Sequence, residues 1–255
     1  MRLVRSDGGF SSLLTVALNG SRTPAEHPAI PRSPEEIATA AQASVEAGAQ
    51  IIHLHAYNAA GEETFEAEFC TAAIQAVRAV CPDTPISLTT SEDIEPDPKR
   101  RLELIAGWTE LPELVTANQG EAGIVELCEH LMSRGVGIEA GLLKLSDARA
   151  FVRSGIVDRC IRVLIEPLDA DPADAVAHAA AMEQVLMDAE VSLEQMHHGD
   201  GIASWAVNER ALLHGHGIRT GLEDTIVLPD GRVASDNAEL VRAAALMIYD
   251  KRNNR

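Results

Sequence analysis

The chain has 255 residues and a formal net charge of −18, from 21 Lys plus Arg against 39 Asp plus Glu. That field repels nucleic acid and anionic lipid, which excludes both as general partners. It also obliges any anionic cosubstrate to be met by a local pocket of arginines or helix N-termini. With 46% apolar and 24% charged residues the composition is that of a soluble globular protein, and the length suits one α/β barrel of about 250 residues as well as two smaller domains. Cys70, Cys81, Cys128 and Cys160 contain no CxxC pair. They point to reduced thiols in the cytoplasm rather than a disulfide framework or a thiolate zinc site. The opening MRLVRSDGGFSS lacks the apolar core of a signal peptide, and no run approaches the roughly 18 apolar residues of a membrane span, so a cytoplasmic location is expected.

Short apolar runs alternate with longer amphipathic ones along the whole chain. The first strand is expected at Ser12 to Asn19. Ser33-Pro34-Glu35-Glu36 then signals a helix start with N-cap serine, first-turn proline and capping-box glutamate, and Gly48 closes that helix. Further strands are expected at Gln50 to His55, Pro85 to Thr90, Glu113 to Asn118, Val136 to Leu142 after an Arg134-Gly135 helix stop, and Cys160 to Glu166. Asp171-Pro172 opens another helix, strands follow at Val191 to His197 and Ile218 to Glu223, and Asp236-Asn237-Ala238-Glu239 opens the last helix. Repeated β-then-α units of roughly thirty residues predict a single (β/α)8 TIM barrel over residues 1–255, with the first ten residues and Lys251 to Arg255 as tails. An open doubly wound sheet is the alternative, but no GxGxxG follows the first strand.

Barrel enzymes place their chemistry at the C-terminal strand ends. In the second strand Ile52 and Leu54 make the helix-facing set, which turns Ile51, His53 and His55 inward. The two histidines are then about 7 Å apart at Cα, a spacing suited to one transition metal; the other reading is two hydrogen-bonded core histidines. In the last strand Arg219, Gly221 and Glu223 share a face, Gly221 leaves room between the two charges, and Asp224 adds a carboxylate. Glu223 is therefore either a third metal ligand or the partner of Arg219 in a structural ion pair.

These segments resemble the β-keto acid cleavage enzyme family, which includes the 3-keto-5-aminohexanoate cleavage enzyme. The likeness rests on Ala17-Leu18-Asn19-Gly20, Pro34-Glu35-Glu36-Ile37-Ala38, Ala47-Gly48-Ala49 followed by Gln50-Ile51-Ile52-His53-Leu54-His55, Thr89-Thr90, Gly217 to Asp224 and Gly231 to Val241. The resemblance implies a TIM-barrel acyltransferase that takes a β-keto acid and acetyl-CoA to acetoacetate and a new acyl-CoA. It implies Zn2+, or another divalent transition metal, on His53, His55 and Glu223, with Arg219 and Asp224 as a base-positioning dyad and a homotetramer as the assembly. Glu139 matches a family glutamate that contacts substrate or relays a proton; pairing with an arginine inside the barrel is the equal alternative. Thr89, Thr90, Ser91 and Asn118 lie at neighbouring strand ends as donors for the substrate or its oxyanions, with Thr89 counted among the catalytic groups. Asn19, at the end of the first strand, is expected to bind substrate, and Arg22 just past it is either a clamp for a substrate carboxylate or a solvent-facing loop residue.

Two stretches depart from the family pattern. Ala56-Tyr57-Asn58 stands where Val-Arg-Asp is usual, and Ser91-Glu92-Asp93-Ile94-Glu95 stands where glycines usually follow the threonine pair. Acidic residues there disfavour CoA phosphates, so a cationic or neutral substrate, or an acyl acceptor other than CoA, is kept open. His197 falls on the face of Leu193 and Gln195 and is expected at the mouth, within the unmatched run Met196-His197-His198-Gly199-Asp200. His214 and His216 belong to the opposite end and are expected to be structural, and His27, His130 and His178 are weak candidates. Two rival functions remain: a metal-dependent hydrolase of the amidohydrolase type, which would put its histidine pair on the first strand, and a non-catalytic metal-binding paralogue.

Overall fold

The computed structural model describes residues 12–253; the expected tail over the first ten residues lies outside them. Eight parallel strands, β1 Leu14–Ala17, β2 Ile51–Leu54, β3 Ile86–Thr89, β4 Leu114–Asn118, β5 Gly137–Leu142, β6 Arg162–Ile165, β7 Glu194–His197 and β8 Gly217–Thr220, pair in sequence order, and β8 pairs back with β1 to close the barrel. The helices between them are α1 Pro34–Glu46, α2 Ala67–Val80, α3 Pro98–Ala106, α4 Ile124–Ser133, α5 Leu145–Phe151, α6 Pro172–Asp188 and α7 Ala203–Leu213, with α8 Asn237–Asn253 after β8. The fold is thus a (β/α)8 TIM barrel, and Lys251 to Asn253 end a helix rather than forming a tail. No helix among the described residues is long and apolar enough to cross a membrane.

The helix starts are chemical. Ser33 accepts from the Glu36 amide (3.2 Å) while Glu36 accepts from the Ser33 amide (3.0 Å), a reciprocal capping box at α1. Asp171 caps α6 through the Ala173 and Asp174 amides, and Asp97 does the same for α3 through Lys99 and Arg100. Asp236 accepts from Glu239 N at the start of α8.

Alternation along each strand divides the core in two. Outward side chains such as Val16, Ile52, Leu54, Val115, Ile138 and Val163 join the helices in the large apolar layer. Inside the barrel, Leu13, Ile51, Leu114, Leu164 and Met196 form a small apolar plug at the N-terminal end. Above that plug the lumen is polar: Thr15, His53, Ser87, Thr116, Glu139, Arg162 and Arg219 are all buried there. β1, β2 and β4 therefore begin inward with an apolar residue and end on a polar one, whereas in β6 and β7 Arg162 and Glu194 precede the plug residues Leu164 and Met196.

Two expectations are corrected. His197 is not a mouth residue. Met196 pairs with inward-facing Leu164 in the β6–β7 register and belongs to the plug, which turns Glu194, Met196 and His198 inward and sends Gln195 and His197 toward the helices. His197 there bonds Gln195 Oε1 (3.1 Å) and stacks on His216 at 4.7 Å between centroids. Nor does Gly221 make room between Arg219 and Glu223. A Cβ at Gly221 would run into the Ala17 carbonyl, so the glycine lets β1 backbone approach, and Glu223 N donates to that same carbonyl (3.3 Å).

Gly221→Ala is accordingly expected to lower the unfolding free energy by about 3 kcal/mol. Gly135→Ala, at φ +83° with nothing within 4 Å of the added carbon, is expected to cost only about 1–2 kcal/mol. Urea unfolding of the two variants measures the difference, and equal losses would show that the β1 contact is not what requires Gly221.

Candidate active site

Glu223 sits in the turn after β8, where Asp224 N and Thr225 N both donate to the Gly221 carbonyl. That turn brings the Glu223 carboxylate over the mouth toward β2. Its Oε1 lies 3.6 Å from His53 Nε2 and its Oε2 lies 3.7 Å from His55 Nε2. Gly20 makes the approach possible: it adopts φ +59°, and a Cβ there would overlap the Glu223 side chain.

These separations exceed hydrogen-bonding distance, and Glu223 Oε2 is buried without a hydrogen-bond partner. They are close to the spacing of about 3.3 Å between neighbouring ligands of a tetrahedral ion with 2.0–2.1 Å bonds. Two imidazole nitrogens and a carboxylate are also the donor set of a catalytic zinc. The residues present therefore fit a divalent transition metal.

The surroundings of each imidazole point the same way. His55 Nδ1 bonds Glu63 Oε1, which holds the ring by its far nitrogen and leaves Nε2 aimed at Glu223, as in a carboxylate–histidine–metal arrangement. Burial opposes a charge on His55, but Glu223 and Glu63 outweigh it and raise its pKa. His53 is the opposite case: burial, then Arg219 and His55, hold its pKa well below the usual imidazole value, so it is neutral. Its Nδ1 is 3.4 Å from both Ser87 Oγ and Thr116 Oγ1. Ser87 Oγ donates to Glu139 Oε2 at 2.5 Å, so toward His53 it can only accept. The proton therefore sits on Nδ1 and the Nε2 lone pair faces Glu223. Glu139 is 3.5 Å from Arg162 and is buried below the mouth.

Arg219 organises the other half of the mouth. Its Nη2 is 2.6 Å from Asp224 Oδ1, 3.1 Å from Glu223 Oε1 and 3.6 Å from Glu166 Oε1; Arg219 and Asp224 are buried, while Glu223 and Glu166 are partly exposed. Burial raises the pKa of Asp224 and Glu223, yet Arg219 outweighs it and keeps both below the carboxylate norm. Glu166 moves upward, because burial and the neighbouring carboxylates exceed what His198 and Arg219 offer. His198, fully buried, lies between the two acids, with Nδ1 3.5 Å from Asp224 and Nε2 3.4 Å from Glu166. Glu166, His198 and Asp224 also present ligand atoms within 4.8 Å of one another, but Arg219 Nη2 already sits on Asp224 Oδ1, the same oxygen that faces His198.

The other candidates occupy the rim with their polar groups engaged. Asn19 uses its whole amide: it donates to Pro31 O and His55 O and accepts from Gly20 N and His55 N, bracing β1 against the end of β2. Arg22 donates to the Glu223 carbonyl (3.0 Å) and to Asp200 (2.9 Å), so it pins the β8 turn. Thr90 Oγ1 donates to Thr116 O, Thr89 Oγ1 accepts from Ser91 N and Ser91 Oγ from Asp93 N, and Asn118 donates to Glu121. Tyr57, in the departing stretch, donates to Gly20 O and lies under Arg32 at 4.6 Å, while Asn58 accepts from Ala60 N and Glu62 N to shape its loop.

Sequence reasoning missed Glu63, His198 and Glu166. Glu63 lies in a loop eight positions past His55 with no periodicity to mark it, whereas Glu166 and His198 were visible as polar residues ending inward-facing strands.

Glu63→Ala is expected to weaken Zn2+ binding at the mouth by about 10- to 100-fold, because the ring of His55 loses its anchor. Competition with a chromogenic chelator measures it, and unchanged affinity would show that Glu63 does not orient His55.

Residues 12–252 match the sequence pattern described as beta-keto acid cleavage enzyme. Two relatives are named 3-keto-5-aminohexanoate cleavage enzyme. One, from Fusobacterium nucleatum, is 29% identical over 252 residues and covers 90% of this chain and 88% of the relative. The other, from Acetoanaerobium sticklandii, is 23% identical with the same coverage. Among solved structures, a ternary complex of ObcA with a C4-CoA adduct and oxalate superposes with TM-score 0.72 at 18% identity. It covers 88% of this chain, which spans only 64% of ObcA. A 3-dehydroquinate dehydratase from Geobacillus kaustophilus gives TM-score 0.64 at 11% identity, over 96% and 93% of the two chains. The solved structures share the fold; the match over nearly the whole sequence establishes that the chain belongs to the β-keto acid cleavage enzyme family.

Proposed function

We propose that the chain is a metal-dependent acyltransferase that cleaves a β-keto acid at the expense of acetyl-CoA, with Zn2+ or a similar divalent ion on His53, His55 and Glu223. The observation that carries this reading is the convergence of that ligand trio with the Arg219–Asp224 pair at one barrel mouth, within a chain of this family. When bound, the ion supplies Lewis acidity toward the keto and carboxylate oxygens of the substrate.

The protein groups then divide the proton work. Asp224 is the base that takes a proton from the carbon between the keto and carboxylate groups, and Arg219 keeps it ionised and aimed. The resulting carbanion attacks the acetyl thioester carbonyl and CoA leaves as its thiolate. The thiolate next attacks the original keto carbonyl, the bond to the acetoacetate carbon breaks, and protonated Asp224 returns its proton to that carbon. Acetoacetate and a new acyl-CoA result, with atoms and charge balanced. His198 and Glu166 back the base on its far side, and Thr89, Ser91 and Asn118 are the rim groups that meet the substrate.

A second reading concerns the acyl acceptor. Arg22 is committed to Asp200 and the β8 turn, and Glu63, Glu121 and Glu166 ring the mouth. That favours a cationic or neutral β-keto acid, or an acyl acceptor other than CoA.

Incubation of the zinc-loaded protein with a panel of β-keto acids and acetyl-CoA is expected to yield acetoacetate and the matching acyl-CoA. Cleavage without acyl-CoA would remove the thioester half of the reading, and CoA-independent hydrolysis would favour the hydrolase class instead. His53→Ala is expected to lose the mouth ion and all turnover. Asp224→Asn is expected to keep the ion while kcat falls about 100- to 10,000-fold. Full metal content in His53→Ala would sink the assignment of the trio.

A further inference from the structure

At the opposite end of the barrel from the mouth, α7 closes on His214-Gly215-His216 just before β8. Gly215 takes φ +82° with open space around it, so the turn requires glycine for its backbone conformation. That turn folds both imidazoles back onto Glu183, which comes from α6 and is 5% exposed. Glu183 Oε1 is shared: His216 Nε2 lies 2.6 Å away and His214 Nδ1 3.5 Å away. The other oxygen, Oε2, is held by Arg210 of α7.

We propose that Glu183, His214 and His216 form a second divalent transition-metal site, of the zinc class, that clamps α6 to the α7–β8 turn on the N-terminal face. The three ligand atoms lie within 4.8 Å of one another, and two imidazoles with one carboxylate suit Zn2+ among the divalent ions. The 2.6 Å hydrogen bond between His216 Nε2 and Glu183 Oε1 marks the metal-free arrangement, and an ion takes the place of its proton and widens the pair to ligand spacing. Arg210 fixes the carboxylate from behind, as the hydrogen-bonded partner of a ligating carboxylate does. His197 stacks on the His216 ring at 4.7 Å with 18° between planes, which limits its rotation. His214 is about half exposed, which leaves a side of the site open to water as a fourth ligand.

The site is remote from the chemistry and its consequence is mechanical. His216 immediately precedes Gly217, the first residue of β8, and β8 carries Arg219 and leads to Glu223 at the mouth. An ion here ties that strand's foot to two helices of the outer layer.

The test is metal content of the full chain by mass spectrometry after dialysis against a weak chelator. The wild type is compared with His214→Ala, with His214→Ala/His216→Ala, and with His53→Ala. The expected result is two equivalents of zinc in the wild type and one in each variant. The difference of one equivalent does not depend on whether the mouth is loaded. In the His53→Ala background, added Zn2+ is expected to raise the thermal midpoint by several degrees, and His214→Ala to abolish the rise. His214 is at the surface, so its loss leaves the fold intact, which circular dichroism verifies. A second equivalent that survives His214→Ala/His216→Ala, or identical zinc content in wild type and His214→Ala, overturns the proposal and leaves Glu183 as an ion-pair brace alone.

Discussion

The mouth of this barrel depends on one buried cation. Arg219 is 2% exposed and touches Asp224, Glu223 and Glu166. Each of those carboxylates, taken alone into the barrel, would be driven toward its neutral acid by desolvation. The guanidinium reverses that for Asp224 and Glu223 and falls short for Glu166, which has only His198 and a longer contact to offset its burial. One side chain thus sorts three acids into two whose pKa is lowered and one whose pKa is raised. The cation is itself secured by the anions, which hold its pKa upward against burial. A buried charge set of this kind costs stability when any one member is removed, since the rest are left uncompensated.

Placement of that set follows from backbone packing at two glycines. Gly221 admits the Ala17 carbonyl and Gly20 admits the Glu223 side chain, so the β8 turn leans across β1 toward β2. Asn19 and Arg22 then lock the arrangement, Asn19 through the His55 backbone and Arg22 through the carbonyls of Glu223 and Asp224. Residues that sequence spacing put forward as substrate contacts are in this way part of the frame that holds the ligand trio. Below the trio, the chain Glu139–Ser87–His53 sets which imidazole nitrogen carries the proton. Polar residues deep in the lumen therefore act on the mouth without reaching it.

The net charge of −18 acquires a location in the folded chain. Part of it is internal and paired, as in the Arg219 group and the Glu183 cluster. Part surrounds the mouth, where Glu63 serves His55 and Glu121 is held by Asn118 and Arg101. Acidity that at first only excludes nucleic acid and membranes thus becomes a local property of the rim, and it bears on which cosubstrate approaches.

Much of this was legible from the chain alone. Capping serine and aspartates, helix-closing glycines and strand-length apolar runs specify the eight-unit order, because those signals act over a few residues. The His-x-His spacing and the Arg219, Glu223 and Asp224 pattern followed from strand periodicity once the barrel was assumed. Periodicity failed in the seventh strand, where the pairing of Met196 with Leu164 sets the inward face and a one-residue change of register exchanges His197 for His198. Contacts that span loops were invisible for a related reason: Glu63 reaches His55, and Glu183 reaches His214 and His216, only because the closed sheet and its helices bring distant segments together. Local chemistry wrote the elements and their faces; closure of the barrel alone decided which of the polar groups meet.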